Sequence, residues 1–213
     1  MAEAELTLYA ESSWQSPWVF HAMIALEEKT LPYQLQVYSM PLSADQRTLL
    51  ADHAVMGKVP ALQHGDLWIT ESLAISEYVA ERFPFPSSPR IFPADLGDRA
   101  RSRQVMSYLR TGLFGLREDR PTSGVFGRPT KRPLSEKGKG DAADLLRVAG
   151  ALIKPGAKTM FSEYCIADSD LALCLMRMIA AEDPVPTHIV DYALAQFDRR
   201  SVKRYVAHLP TSP

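Results

Sequence analysis

Three short stretches of the chain set hydroxyl, carboxylate and proline side chains where they could do chemistry. Ser16 stands directly before Pro17 and an apolar run. A serine there suits the N-cap of a helix, and proline suits the first helical position because its missing N–H costs nothing. A hydroxyl at that place can also donate to an anion, which the positive end of the helix dipole favours. Ser12 and Ser13 are the alternatives in the same loop. Glu71-Ser72 opens a second patterned segment, with a carboxylate and a hydroxyl side by side at a helix start. Between the two lies Lys58-Val59-Pro60-Ala61-Leu62, with a proline at the start of a short apolar strand. Taken singly, each has a plainer reading: a helix cap, a strand-start proline, a solvated lysine.

The elements that must position these residues can be read from periodicity. The run beginning at Leu6 is a short apolar strand, and a helix follows from Pro17 to Lys29 with Val19, Phe20, Met23, Ile24 and Leu26 as its apolar positions. Residues 33–39 alternate, placing Tyr33, Leu35 and Val37 on one face of a second strand. Ser43 and Gln46 have capping-box spacing before a helix that ends near His53. A third strand starts at Val59, a turn falls at His64 to Asp66, and a fourth strand covers Leu67 to Thr70, which together predict an antiparallel hairpin. A helix from Glu71-Ser72 to about Phe83 completes the order βαβαββα.

Prolines 84, 86, 89 and 93 then read as a linker, and strand signals vanish after it. The spacing predicts helices near 98–118, 135–153, 168–182, 187–196 and 201–208, with an irregular loop over 119–134. The expected division is residues 1–84 as an α/β domain, 85–97 as linker and 98–213 as an all-helical domain.

Composition excludes several classes. The 213 residues are 46% hydrophobic and 23% charged with a formal net charge of -1, so a packed core is expected and a basic nucleic-acid footprint is not. The acidic N-terminus does not read as a signal peptide, and no apolar run approaches the ~20 residues needed to span a bilayer, so a cytoplasmic location is expected. The 2 cysteines, Cys165 and Cys174, have neither metal nor redox spacing and read as apolar fillers. No phosphate loop, dinucleotide fingerprint or zinc motif occurs, so no metal is expected.

The ordered set Ser16-Pro17-Trp18, Lys58-Val59-Pro60-Ala61-Leu62, Glu71-Ser72-Leu73-Ala74-Ile75 and Cys165-Ile166-Ala167-Asp168 resembles the glutathione transferase family, and most of all its bacterial serine-type members. The resemblance runs from Leu6 to about Ala207. It implies an α/β plus all-α fold, with an N-terminal thioredoxin-like domain and a C-terminal helical bundle. It further implies Ser16 as the catalytic residue, donating a hydrogen bond to the thiolate of glutathione. Val59 and Pro60 would form a cis-proline turn facing the cysteinyl part, and Glu71 and Ser72 would hold the γ-glutamyl end. Lys58 is the candidate for the glycine carboxylate. Related plant-type enzymes carry a lysine several positions earlier, where this chain reads Ala51-Asp52-His53, so His53 is a substitute. Asp168 is expected to close a capping box on the Cys165 N–H as a folding element.

A second-substrate pocket is expected where the two halves meet, with Trp14, Trp18, Tyr108, Arg110 and Leu113 as walls. The implied partners are glutathione as co-substrate, a small electrophile, peroxide or disulfide, and a second copy of the chain in a homodimer, with no nucleic acid and no membrane. Two other functions use the same fold: a non-catalytic interaction or ligand-binding module, and a glutathione-dependent isomerase.

Overall fold

The computed structural model describes residues 5–210. The chain divides into two compact units, one formed by the chain up to Ile91 together with the segment from Arg204, the other by Phe92–Lys203.

The first unit has the order β1 (Leu6–Glu11), α1 (Pro17–Glu28), β2 (Gln34–Tyr38), α2 (Ala44–Ala54), β3 (Ala61–His64), β4 (Leu67–Thr70) and α3 (Ser72–Arg82). The sheet order is β2-β1-β3-β4, with β1 parallel to β2 and antiparallel to β3, and β3 antiparallel to β4. The hairpin turn is Gly65-Asp66, and Gly65 sits at φ 60, a left-handed position that a side chain would strain. β1 is central, which is why it is a nearly continuous apolar run. Residues 19–26 of α1 are all buried, so this helix is enclosed and not merely amphipathic. It packs against α3. A separate cluster of Tyr9, Tyr38, Leu42, Leu50, Ala54 and Ala61 takes in Val59 and Trp68.

Two details depart from the sequence reading. β2 is an edge strand, and its expected apolar face is only partly covered: Tyr33 and Leu35 are half-buried and Val37 is 39% exposed, while the buried Tyr38 points to the opposite face. β3 begins at Ala61, two residues later than expected, and the Val59-Pro60 peptide before it is cis.

The register decides what meets what. Tyr9 pairs with Ala61, and Ala61 pairs with Thr70. The end of β1, the start of β3 and the end of β4 therefore lie at one end of the sheet, and α1 and α3 both begin there.

The proline-rich segment after α3 is pinned from within the unit. Lys29 is buried, and its ammonium donates to the carbonyls of Phe83 and of Pro89, the latter at 2.9 Å. Burial lowers the Lys29 pKa. The segment from Arg204 returns to this unit, where Arg204 pairs with Glu27 at 2.6 Å and Tyr205 is fully buried.

The second unit contains α4 (Leu96–Thr111), α5 (Phe114–Asp119), α6 (Thr122–Val125), α7 (Glu136–Leu152), α8 (Ile166–Ala180), α9 (Thr187–Phe197) and most of α10 (Arg200–Val206). Val105, Leu109, Leu116, Leu145, Leu171 and Tyr192 are part of its core. The helix expected over 98–118 is broken. Gly112 is extended and Leu113 is left-handed at φ 61, which buries Leu113 in the core. The Arg117 guanidinium accommodates the break by donating to the carbonyls of Arg110 and Gly112, at 3.0 and 3.1 Å. The loop expected over 119–134 contains α6.

Asp119 closes this loop. It accepts from the Ser135 N–H and hydroxyl at 2.8 and 2.7 Å, and Ser135 in turn accepts from the Gly138 N–H at 3.0 Å to cap α7. A side chain at Gly138 would meet the Asp119 carboxylate at 2.1 Å, so the close approach requires glycine. The Ser135 hydroxyl leads the influences that hold the Asp119 carboxyl below its usual range, against its burial. A lowered carboxyl adds stability above its unfolded pKa of about 4, and that stability is lost as pH falls through the folded value. Asp119→Asn is expected to cost about 2 kcal/mol at pH 7, the scale of hydrogen bonds to a charged group. The gap in melting temperature between variant and wild type should close as pH is lowered below about 4; an undiminished gap there would count against this reading.

Among the described residues, no helix is long and apolar enough to cross a membrane, and no group of three or more His, Cys, Asp or Glu could hold a metal ion.

Candidate functional site

Ser16 is the N-cap of α1, extended at φ -72 and ψ 120, and Pro17 holds the first helical position. Its Oγ accepts from the Val19 N–H at 3.4 Å, a long and weak bond. Among the described residues the hydroxyl proton goes to no acceptor. A serine hydroxyl has one donor and two acceptor sites, so its donor is not used by the described protein groups. The side chain is half-buried. Ser13 differs: its hydroxyl donates to Glu11 at 2.5 Å, which commits the proton. Ser12 is exposed, and its N–H bonds the Tyr38 carbonyl at 2.9 Å.

Glu11, the last residue of β1, is not among the residues the sequence singles out. It is 4% exposed, and besides Ser13 its carboxylate takes the N–H groups of Gln15 and Ser16, at 2.8 and 2.9 Å. The available signal was an acidic residue closing an otherwise apolar, central strand immediately before a polar loop.

Glu71 and Ser72 stand at the start of α3. Glu71 is exposed and has φ 68 and ψ 115, a strained backbone for a residue with a side chain. Its carbonyl accepts the Ile75 N–H at 3.0 Å, which opens the helix. Ser72 is buried, and its carbonyl accepts from the Ser76 hydroxyl at 2.8 Å. Val59 is half-buried, Pro60 buried and Lys58 exposed. His53 stacks on Trp68 with ring centres 5.2 Å apart. The strand register thus brings Ser16, Val59-Pro60 and Glu71-Ser72 to one end of one sheet.

The residues expected to wall a second-substrate pocket each have partners in their own unit. Trp14 is buried, stacks on His208 at 4.4 Å and meets Tyr205 edge-on. Trp18 is half-buried beside His21. In the helical unit, the Tyr108 hydroxyl donates to Asp144 at 2.7 Å. Burial and that bond raise the Tyr108 pKa. Arg110 pairs with the buried Asp170 at 2.6 Å, and Leu113 lies in the core.

Comparison with known proteins matches residues 4–81 to the model described as glutathione S-transferase, N-terminal domain, and residues 95–210 to glutathione S-transferase, C-terminal domain. The chain belongs to the glutathione S-transferase family. The family's thioredoxin-like and helical parts correspond to the four-stranded mixed sheet with its helices and to the all-helical unit. Ser16, Lys58, Val59, Pro60, Glu71 and Ser72 all fall within the N-terminal match.

Two relatives from Arabidopsis thaliana illustrate the likeness. Glutathione S-transferase U13 is 39% identical over 102 residues, which is 48% of this chain and 44% of the relative. Glutathione S-transferase Z1 is 37% identical over 112 residues, 52% of this chain and 48% of the relative. The aligned part thus spans about half the length of the curated relatives. Among solved structures, a glutathione transferase homolog from Burkholderia gl BGR1 with bound glutathione is 30% identical. It aligns over 95% of this chain and 97% of that one, with a TM-score of 0.78. A Tau class glutathione S-transferase from mango, Mangifera indica, is 22% identical over 99% of this chain and 94% of that one. Its TM-score of 0.73 shows a shared fold.

Proposed function

We propose that this chain is a glutathione transferase of the serine type, with Ser16 donating a hydrogen bond to the sulfur of bound glutathione. The observation that carries the reading is the Tyr9–Ala61–Thr70 register. Neighbouring strands lie about 4.8 Å apart, so the ends of β1 and β4 are roughly 10 Å apart across β3. An extended chain of three residues reaches about the same distance. A tripeptide laid across this end of the sheet can touch the loop after β1, the Val59-Pro60 turn and the start of α3. The family membership and the Burkholderia homolog solved with glutathione support the same ligand.

Bound glutathione would supply a thiolate for attack on a small electrophilic carbon, a peroxide or a disulfide. Its free thiol titrates near the cysteine reference of about 8.5, so the protein must favour the charged form at neutral pH. Ser16 does this with an uncommitted hydroxyl at the positive end of α1. Val59 offers strand-like backbone to the middle residue. Glu71 accepts from the γ-glutamyl ammonium, while Ser72 and the N-terminus of α3 hold its carboxylate. Lys58 faces solvent, where it can pair with the glycine carboxylate. The chain acts as a cytoplasmic homodimer in this reading, and a solution mass equal to one chain would contradict the dimer.

Retention on immobilised glutathione tests the binding part. The wild type is expected to be retained and to elute with free glutathione; failure to bind would favour a non-catalytic module. Glu71→Gly separates strain from binding. Glycine accepts the φ of 68 without strain, so the fold should gain up to about 1 kcal/mol. Loss of the carboxylate should nonetheless weaken retention about tenfold, the equivalent of ~1.4 kcal/mol. Stability and binding moving in opposite directions is the expected signature; unchanged binding would remove Glu71 from the site.

A further inference from the structure

The loop that carries Ser16 is gripped from both sides by buried residues that never face a ligand in the reading above. On the N–H side is Glu11. One of its carboxylate oxygens takes the Gln15 and Ser16 N–H groups at 2.8 and 2.9 Å, and the other takes the Ser13 N–H and hydroxyl at 2.6 and 2.5 Å. On the carbonyl side is Tyr205 from α10, fully buried, whose hydroxyl is shared between the carbonyls of Trp14 at 2.9 Å and Ser16 at 3.3 Å. The loop bends hard to do this: Trp14 sits at φ 54, and its ring is held between His208 and Tyr205.

These bonds leave Ser16 little freedom. Its N–H goes to Glu11, and its carbonyl takes both the Phe20 N–H at 3.1 Å and the Tyr205 hydroxyl. With both backbone groups engaged, the direction of Cβ is fixed, and only the χ1 rotamer remains to aim the hydroxyl.

We propose that Glu11 and Tyr205 are positioning residues, which set the Ser16 hydroxyl by holding the 12–16 loop from its two faces. The proposal rests on the thiolate role given to Ser16 above. Four donors converge on Glu11, and only a carboxylate presents two acceptor-only oxygens to them. A glutamine would turn an NH2 group toward donors on one side. Burial raises the Tyr205 pKa and the nearby Glu11 charge adds to it, so Tyr205 stays the hydroxyl donor this arrangement needs.

Three roles for Glu11 make different predictions. A positioning role means that Glu11→Gln loosens Ser16 and so weakens the thiolate. A direct charge effect has the opposite sign, because removing a negative charge favours another anion nearby. A purely structural role lowers the melting temperature alone.

The test is a pH titration of the ultraviolet thiolate absorbance of glutathione bound to the wild type, to Glu11→Gln and to Tyr205→Phe, with melting temperatures measured alongside. The wild-type midpoint should lie below the free-thiol value of about 8.5, and Glu11→Gln should raise it by about one unit, a tenfold loss of thiolate stabilisation. Tyr205→Phe should raise it in the same sense by a smaller amount. Because it removes one oxygen and keeps the packed ring, Tyr205→Phe carries the test if Glu11→Gln does not fold. Midpoints that stay at the wild-type value, or fall, overturn the positioning role and leave the transferase reading standing. A wild-type midpoint equal to that of free glutathione overturns both.

Discussion

Ser16→Ala is expected to lower kcat/KM for glutathione conjugation at pH 7 by about a hundredfold, the scale on which loss of one preorganised donor to a reacting anion is felt. The effect should sit mainly in the chemical step. Retention on immobilised glutathione should change only a few-fold, because in the proposed binding mode Val59, Glu71 and Ser72 hold the tripeptide elsewhere. Alanine also removes an N-cap, which costs about 1 kcal/mol of stability, so a second variant is needed. Ser16→Gly keeps most of the cap, since glycine is only a few tenths of a kcal/mol worse than serine there. It should lose as much activity as Ser16→Ala while melting closer to wild type. The deficit of both should narrow as pH rises above about 8.5, where glutathione ionises without help. A deficit that is constant with pH would mean that Ser16 does something other than hold a thiolate.

The largest stability effect belongs to Asp168, in the helical unit. Asp168 is fully buried at the start of α8, and its carboxylate accepts from the Cys165 N–H at 2.9 Å, the Met160 N–H at 2.7 Å and the Tyr192 hydroxyl at 2.7 Å. A capping box alone is worth about 1 kcal/mol, but this carboxylate also anchors the chain before α8 and ties α8 to α9. Asp168→Ala strands the Cys165 and Met160 N–H groups and leaves the Tyr192 hydroxyl only its long 3.4 Å bond to the residue-168 carbonyl, at about 1–3 kcal/mol for each donor left unpaired. Partial relaxation should leave a net loss of about 4 kcal/mol, near the top of the range for single substitutions. Denaturant or thermal unfolding measures this directly. The protein that remains folded should keep its retention on glutathione, since every proposed contact lies in the other unit. A loss below about 1 kcal/mol would reduce Asp168 to an ordinary cap.

How much could be read from the sequence depended on how local the deciding interactions are. β3 is bounded by Pro60 and by the Gly65 turn, and the order of the strands followed from short apolar runs, one alternating stretch and the turn residues between them. The capping box at Ser43 and Gln46 and the Ser16-Pro17 helix start were legible for the same reason. The break at Gly112 was not. One glycine inside an amphipathic pattern costs only about 1 kcal/mol, and the outcome turns on burial of Leu113 and on the Arg117 guanidinium. Alternation placed Tyr33, Leu35 and Val37 on one face of β2, but it shows which side chains share a face and not how well an edge strand is covered.

The site shows the same division. Ser16, Val59-Pro60 and Glu71-Ser72 stood out by residue type, but their common location depends on the Tyr9–Ala61–Thr70 register, a tertiary fact. Glu11 acts on residues two to five positions away, so its signal was local, but acidic residues end many strands without such a role. Tyr205 was beyond reach, since its carbonyl partners lie 191 and 189 positions earlier.

A crystal structure of this chain with glutathione bound tests the central claim most directly. The account expects the cysteinyl sulfur within hydrogen-bond distance of Ser16 Oγ, with the γ-glutamyl end at Glu71-Ser72. A sulfur with no serine hydroxyl beside it, or a tripeptide bound away from this end of the sheet, would contradict it.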